Sequence, residues 1–311
     1  MTTAAGPGNR TATNLSHAQR ERLAYIEFRL YFTGALGRAD LINRFGIAPA
    51  AATRDLALYR ELAPNNIRFD GSTKLYRFGV AFVPMFHRSS HRALIALSHG
   101  FGEGDDAEPA VLLACETPAL LCPPPLDTLA TVCRAIKARQ PLAIRYKSAS
   151  SEETERVIVP FALVDTGMRW HVRAFDRKRQ SFREFVLTRI DVLNAIEEEE
   201  ALLHERPKHD NQWSRTIDLE LVPHPRLDRP EIVSREYGMT DGTQHLRVRA
   251  AMAGYMLLRW GVDCSPDHHL TGEQYRLWLH NPMTLYGVEN ARLAPGYQEP
   301  ACPATSSQAI N

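Results

Sequence analysis

The sequence predicts a mixed α+β protein made of three consecutive modules: a helical block ending in a β-hairpin, a β-rich middle, and a block in which strands and helices alternate. Three observations predict it. Apolar residues recur at helical spacing as far as Leu62, two-residue alternation takes over between 139 and 193, and both periods interleave from 214 to 297. The stretches "GFGEGDDAEP" (100–109), "CPPPLD" (122–127) and "ERPKHDNQW" (205–213) punctuate the chain between these regimes.

In the first block, "SHAQRERLAYIEFRLYFTG" places Leu23, Ile26 and Leu30 on one stripe, with Ser16 as N-cap. Two helices follow in "GRADLINRFGIAPAAATRDLALYRELAP". Leu41, Ile42 and Phe45 form the apolar face of the first, Gly46 supplies the turn, and Pro49 sits where a first helical turn tolerates it. Leu56 and the segment from Leu58 to Leu62 return the second to the core. This is a helix-turn-helix. The stretch "NNIRFDGSTKLYRFG" then reads as two short strands around Asp70-Gly71, a hairpin that makes the motif winged. Between Leu15 and Val80 the chain carries ten basic residues against six acids, although its overall formal charge is only +1. That local surplus suits duplex DNA. The second helix of such a motif enters the major groove, so Ala50, Ala51, Thr53 and Arg54 are candidate base readers, with Arg54 able to fork onto guanine unless it pairs with Asp55. Arg38, Lys74 in the wing and, at the far end of the helix, Arg60 are candidate phosphate contacts.

The middle block offers strands at "LAIRY" (142–146), "ERVIVPFALV" (155–164), "MRWHVRAFD" (168–176) and "FREFVLTRIDVL" (182–193). So many short strands in so few residues predict a small barrel, because a flat sheet of that size leaves its apolar face in water. Within "RWHVRAFD", Trp170, Val172 and Ala174 alternate with Arg169, His171 and Arg173. The second set forms either a solvated outer face or a basic floor for an anionic ligand. The last block reads as strand "TIDLELVPHP", helix "RPEIVSREYG", strand "TQHLRVRAA", helix "AGYMLLRWG" and strand "EQYRLWLHN", an α+β sandwich with helices on one sheet face.

Composition narrows the function classes. With 311 residues, 44% of them hydrophobic and 23% charged, the chain resembles an ordinary globular protein, without a secretory h-region or a membrane-length apolar run, and it reads as cytoplasmic. Five cysteines without a CxxC pair predict reduced thiols rather than disulfides or a zinc knuckle. "DCSPDHHL", with Cys264, His268 and His269, lacks a further ligand nearby and is read as structural, so no metal is expected. Neither GxSxG nor GxxxxGK[ST] occurs, "FGEGD" lacks the strand-helix setting of a phosphate loop, and no cofactor or catalysis is expected.

"RWHVRAFD" followed by Arg183, Phe185, Leu187, Arg189 and Ile190, with "IRYKSAS" and "ERVIVP" upstream, resembles the WYL domain, a small Sm-like barrel; the name-giving triplet is here Trp170-His171-Val172. A winged helix before it and "DLELVPHPRLDRPEIVSREYGM" with "LRVRAAMAGYMLLRWGVD" after it resemble the three-part WYL transcriptional regulators of BREX and CBASS defence islands. The resemblance spans about Leu15 to Tyr297. It implies a winged helix-turn-helix at 15–80, a helical linker region at 81–126, a ligand-sensing WYL barrel at 127–200 and a dimerisation domain at 214–297, while the Gly, Thr, Ala and Asn before Leu15 and "QEPACPATSSQAIN" after Tyr297 predict disordered tails at 1–14 and 298–311. Trp260, Tyr275 and Trp278 offer apolar area for the partner copy.

The same resemblance implies a ligand pocket at Tyr146, Ser148, Arg156, His171, Arg173, Arg183 and Arg189, although Arg189 could instead tie the last strand to a carboxylate. Converging guanidiniums suit phosphate and Tyr146 suits a stacked base, so a nucleotide or single-stranded nucleic acid is the ligand class. Where defence-associated relatives carry a His after the Pro of the second barrel strand, this chain has Phe161. The expected function is a homodimeric repressor of a phage-defence operon that binds an inverted-repeat operator in duplex DNA and is relieved by that ligand. A metabolite-sensing activator and an accessory sensor of a nucleic-acid-processing enzyme are the alternatives.

Overall fold

A computed structural model describes residues 15–99, 113–116, 118, 121–149, 152–196 and 199–299. The expected tail at 1–14, the stretch "GFGEGDDAEP" and the end of the chain from residue 300 lie outside the described residues. The chain divides into two compact units, Met1–Pro118 and Ala119–Asn311.

The first unit runs α1 (His17–Thr33), β1 (Ala35–Leu36), α2 (Arg38–Phe45), α3 (Pro49–Leu62), β2 (Ile67–Asp70), β3 (Leu75–Phe78) and α4 (Ser90–His99). Its short sheet has the order β1-β3-β2. The Ser16 hydroxyl caps α1 by accepting from the Gln19 N–H, and Leu23, Ile26 and Leu30 are fully buried against Leu41, Leu56 and Tyr59. Gly46 ends α2 with φ +60°, a left-handed conformation that costs a side chain with a Cβ about 1 kcal/mol or more, and Pro49 opens α3. Two features lie outside the sequence reading. The two-residue β1 joins the wing, and a buried polar network pins the wing's exit: Tyr59 donates to Glu27 (3.1 Å), which also accepts from the Met85 and Phe86 amides, while Asn66 donates to the Tyr59 hydroxyl and the Val83 carbonyl. Burial pushes the Tyr59 phenol well above its ordinary range.

The second unit opens with α5 (Leu126–Ala138) and continues with β4 (Leu142–Tyr146), β5 (Thr154–Asp165), β6 (Trp170–Asp176), β7 (Ser181–Val186) and β8 (Ile190–Ala195), an antiparallel sheet of order β7-β6-β5-β4-β8. The segment expected as one strand, 182–193, is broken by a 3-10 turn at Leu187–Arg189. Its physical cause is sheet closure. β7 and β8 lie at opposite edges, about 19 Å apart in a flat five-stranded sheet, whereas a 3-10 turn of this length spans only about 8 Å. The sheet must therefore curl until the end of β7 comes near the start of β8, although these two edge strands are not paired with each other. Inside the curl, Leu142, Ile144, Ile158, Val172, Ala174, Phe185 and Ile190 pack with Val132 and Ala135 of α5.

A connecting segment then leads through α6 (Asn211–Ser214) to β9 (Thr216–Pro223), α7 (Pro230–Glu236), β10 (Gln244–Arg249), α8 (Ala250–Arg259), β11 (Val262–Asp263) and β12 (Leu277–Leu279). The sheet order is β10-β9-β12-β11, antiparallel except for β11 beside β12. Leu219, Leu221, Leu277 and Leu279 bury one face against Ala250, Ala253 and Leu257 of α8, each large side chain being worth about 1.5–3 kcal/mol. The other face is polar, with Arg247 donating to Asp218 (2.9 Å). Within "DCSPDHHL", Asp263, Cys264 and Ser265 are buried in a structural knot: Asp263 accepts from the Ser265 amide and hydroxyl, from the Leu270 amide and, at 3.2 Å, meets His224. Trp260 packs partly on this core, and the Trp278 indole donates to the Ser265 carbonyl.

Candidate nucleic-acid interface

α3 is amphipathic in a way that decides which residues are available. Ala52, Asp55, Leu56 and Tyr59 face inward; Ala50, Thr53, Arg54, Ala57 and Arg60 form the outward stripe, and Ala51 lies half-buried on its flank. Asp55 is not the partner of Arg54. It is buried beneath a two-pronged bond from Arg22 of α1 (2.6 and 3.3 Å), which joins the two helices and leaves Arg54 with no carboxylate partner among the described residues. Thr53 donates to the Pro49 carbonyl, and Arg38, exposed at the start of α2, reaches to 3.5 Å from the Thr53 hydroxyl. Small Ala50 and Ala57 flank the Arg54 turn, so the helix can approach another surface closely there.

The wing presents Lys74, exposed and with φ +58°, at the end of a four-residue turn rather than a two-residue one. Asp70 organises that turn by accepting from the Ser72 hydroxyl (2.6 Å) and amide (3.0 Å) and from Arg77, contacts that hold its carboxyl well below the ordinary range. Arg68, exposed on β2 and also without a carboxylate partner among the described residues, was not singled out from the sequence. Its place beside the wing follows from strand pairing, which puts it opposite Arg77.

The seven candidate ligand residues of the sheet do not form one cluster. His171 and Arg173 lie on the outer face, opposite Val186 and Glu184. Arg156 and Arg183 fall in register with the inner-face residues Ile144 and Ala174 but have separate partners: Arg156 pairs with the fully buried Asp176, and the exposed Arg183 lies 3.4 Å from the Ser181 hydroxyl. Tyr146 and the Arg189 backbone lie near the edge-bridging turn, where the Tyr146 hydroxyl accepts from the Val186 amide and the Lys147 amide bonds the Arg189 carbonyl, and Ser148 follows β4 two residues after Tyr146.

The outer face is neither solvated nor an open basic floor. Arg169 precedes the strand and is exposed, but β6 itself is buried on both sides. Arg173 forks onto Asp210 (2.6 and 3.0 Å) and donates to Glu184 (3.0 Å), and Glu184 accepts from the Tyr255 hydroxyl of α8 (2.6 Å). The same Asp210 carboxylate caps α6 through the Gln212 and Trp213 amides. This ion cluster therefore fastens the curled sheet to the α6–α8 block. Burial alone would raise the Glu184 carboxyl; His171 at 3.8 Å, the Tyr255 hydroxyl and the Arg173 guanidinium outweigh it and hold the group below its usual value. Both ring nitrogens of His171 are buried without a hydrogen-bond partner among the described residues, the ring standing edge-on to Tyr255.

No group of three or more His, Cys, Asp or Glu side chains among the described residues has the arrangement of a metal site, and no helix there is long and apolar enough to cross a membrane. A three-helix core, a hairpin wing and an exposed second helix with unpaired cations define a winged-helix transcriptional regulator. The comparisons make this specific. Residues 18–99 match the winged helix-turn-helix domain of the BrxR transcriptional regulators, 127–195 the WYL domain, and 216–285 the BrxR C-terminal dimerization domain. The chain is 36% identical over 268 residues to the DNA-binding transcriptional repressor CapW of Stenotrophomonas maltophilia, covering 83% of this chain and 88% of that one. It is 30% identical over 279 residues to CapW of Escherichia coli (strain KTE188), covering 87% and 91%, and 28% identical over 253 residues to that of Pseudomonas aeruginosa, covering 79% and 83%. The chain belongs to the CapW family of WYL-domain transcriptional repressors.

Proposed function

We propose that this chain represses transcription by binding an inverted-repeat operator as a homodimer, with one α3 of each copy in the major groove. The observation that carries the reading is the unpaired Arg54 on the outward stripe of α3, whose acidic neighbour Asp55 is already held by Arg22. Arg54 and Thr53 read base edges; Arg38, Arg60 and Lys74 hold phosphates. The 214–297 block holds the two copies together, in keeping with its match to a dimerization domain. The controlled genes form a phage-defence operon, and a nucleotide or single-stranded nucleic acid bound at the WYL domain relieves repression.

Relief requires the ligand to favour a DNA-incompetent state over the competent one. The ion cluster of Arg173, Glu184, Asp210 and Tyr255 is the natural element to transmit that preference, since it joins the sheet to the dimerisation block. Footprinting on the DNA upstream of the gene tests the DNA arm. Two protected half-sites with centres about 10 bp or a multiple apart are expected, because two recognition helices on one face must follow the helical repeat. A single unrepeated half-site overturns the dimeric reading.

A further inference from the structure

The seven sheet residues singled out for ligand binding leave unused a groove of about 450 Å³ between the C-terminal end of α5, the middle of β5 and the connecting segment before α6. That volume is within the range of small-molecule sites, about 300–1,000 Å³. Its floor is apolar, formed in part by Val159, Pro160 and Phe161. Phe161 is the extra residue of a bulge in β5, between the paired positions Pro160 and Ala162, and its ring contacts Phe182 and Trp213 edge-on. The residue that replaces the expected histidine thus lends this groove an aromatic surface in place of a hydrogen-bonding one.

The walls carry Arg139, Arg206 and Lys208. None of the three has a carboxylate partner among the described residues. The one acid in the lining, Glu205, is already committed: it accepts from Arg177 (2.6 and 3.1 Å) and from the Leu202 amide (2.8 Å). Among the described residues, Arg206 Nε is buried without a hydrogen-bond partner, and its Nη2 has a long contact of 3.5 Å to the Ala201 carbonyl. Local folding brings the cations together. Arg139 ends α5 in the left-handed conformation, the Ala201 amide bonds its carbonyl, and two successive 3-10 turns, Leu203–Glu205 and Pro207–His209, set Arg206 and Lys208 on the facing wall. Three like charges around an apolar floor, with the nearby acid spent, repel one another until an anion enters, and a buried donor without a partner is costly until something accepts from it.

We propose that this groove binds a phosphate ester carrying a flat ring, the phosphate held by Arg139, Arg206 and Lys208 and the ring lying on the Val159–Phe161 floor. The proposal rests on the nucleotide reading given above and assigns its ligand to a different place. Occupancy would also restrain the 201–208 segment, two residues before Asp210, which clamps Arg173. A ligand here therefore acts on the fastening between the sheet and the dimerisation block.

Isothermal titration of the full chain with a 5′-phosphorylated thymidine dinucleotide tests it, alongside the unphosphorylated dinucleotide and inorganic phosphate. Arg139→Asn, which tolerates the left-handed conformation, and Lys208→Ala alter exposed side chains and leave the fold intact. The phosphorylated dinucleotide is expected to bind the unaltered protein at least tenfold more tightly than the unphosphorylated one, and the double variant to lose at least tenfold, while Arg183→Ala stays within twofold. Unchanged affinity in the double variant with loss in Arg183→Ala overturns the groove and leaves the nucleotide reading standing. Absence of dinucleotide binding to the unaltered protein, with or without phosphate binding, overturns both.

Discussion

Arg54 of α3 and Arg173 of β6 have similar sequence settings and opposite fates. Arg54 follows three small residues and precedes an aspartate, and it stands in solvent with no carboxylate partner among the described residues, that aspartate turning inward to Arg22. Arg173 lies in an alternating strand that could equally face water, and it is sealed beneath Asp210, Glu184 and Tyr255 with 4% of its side chain exposed. The contrast teaches that a cation left unpaired on a rigid element is available to a partner from outside, whereas a buried and fully forked one fixes how two parts of the same chain sit together. Binding energy resides in the first kind and architecture in the second.

The largest effect that could break this comparison comes from the buried side. Arg173→Ala strands two buried carboxylates and should cost about 3–5 kcal/mol, read as a lower denaturation midpoint. A loss below about 0.5 kcal/mol would place Arg173 with the surface cations instead. Next comes the pair that frees Arg54. Asp55→Asn weakens the bond from Arg22, which is itself partly exposed, so a smaller loss of about 1.5–3 kcal/mol is expected, again by denaturant titration.

The smallest effect is the pH dependence of the sheet's fastening. Glu184 is held below its ordinary pKa, so its contribution is present above about 4.3 and is lost as the pH falls through the folded-state value. The stability difference between the unaltered protein and Glu184→Gln should therefore shrink as the pH falls from 6 toward 3. A constant difference over that range would contradict the assignment.

Much of the winged helix was legible because its signals are local. Ser16, Gly46 and Pro49 each mark a helix end within one turn of themselves, and the stripe of Leu23, Ile26 and Leu30 needs only a period. The candidate readers on α3 follow from the same period, save Ala51 on the flank. The sheet was harder. Alternation told which residues of β6 share a face but not what covers it, since Asp210 is 37 residues and Tyr255 more than 80 residues from Arg173. Likewise "FREFVLTRI" contains no Gly or Pro, and the break at Leu187–Arg189 arises from closing the sheet, which is not a property of the segment itself. The groove cations carry no local signal in the sequence, because Arg139 and Lys208 lie 69 positions apart and meet through the connecting segment.

The central claim is that α3 reads sequence through an arginine its own fold leaves unpaired, while the wing only grips the backbone. Equilibrium titrations of Arg54→Ala and Lys74→Ala on operator and on random duplex DNA, over a range of salt, test it directly. Arg54→Ala should lose about 1–3 kcal/mol on the operator and much of its preference over random DNA; Lys74→Ala should weaken both alike and reduce the salt slope by about one. Equal losses on both DNAs for Arg54→Ala would contradict the claim.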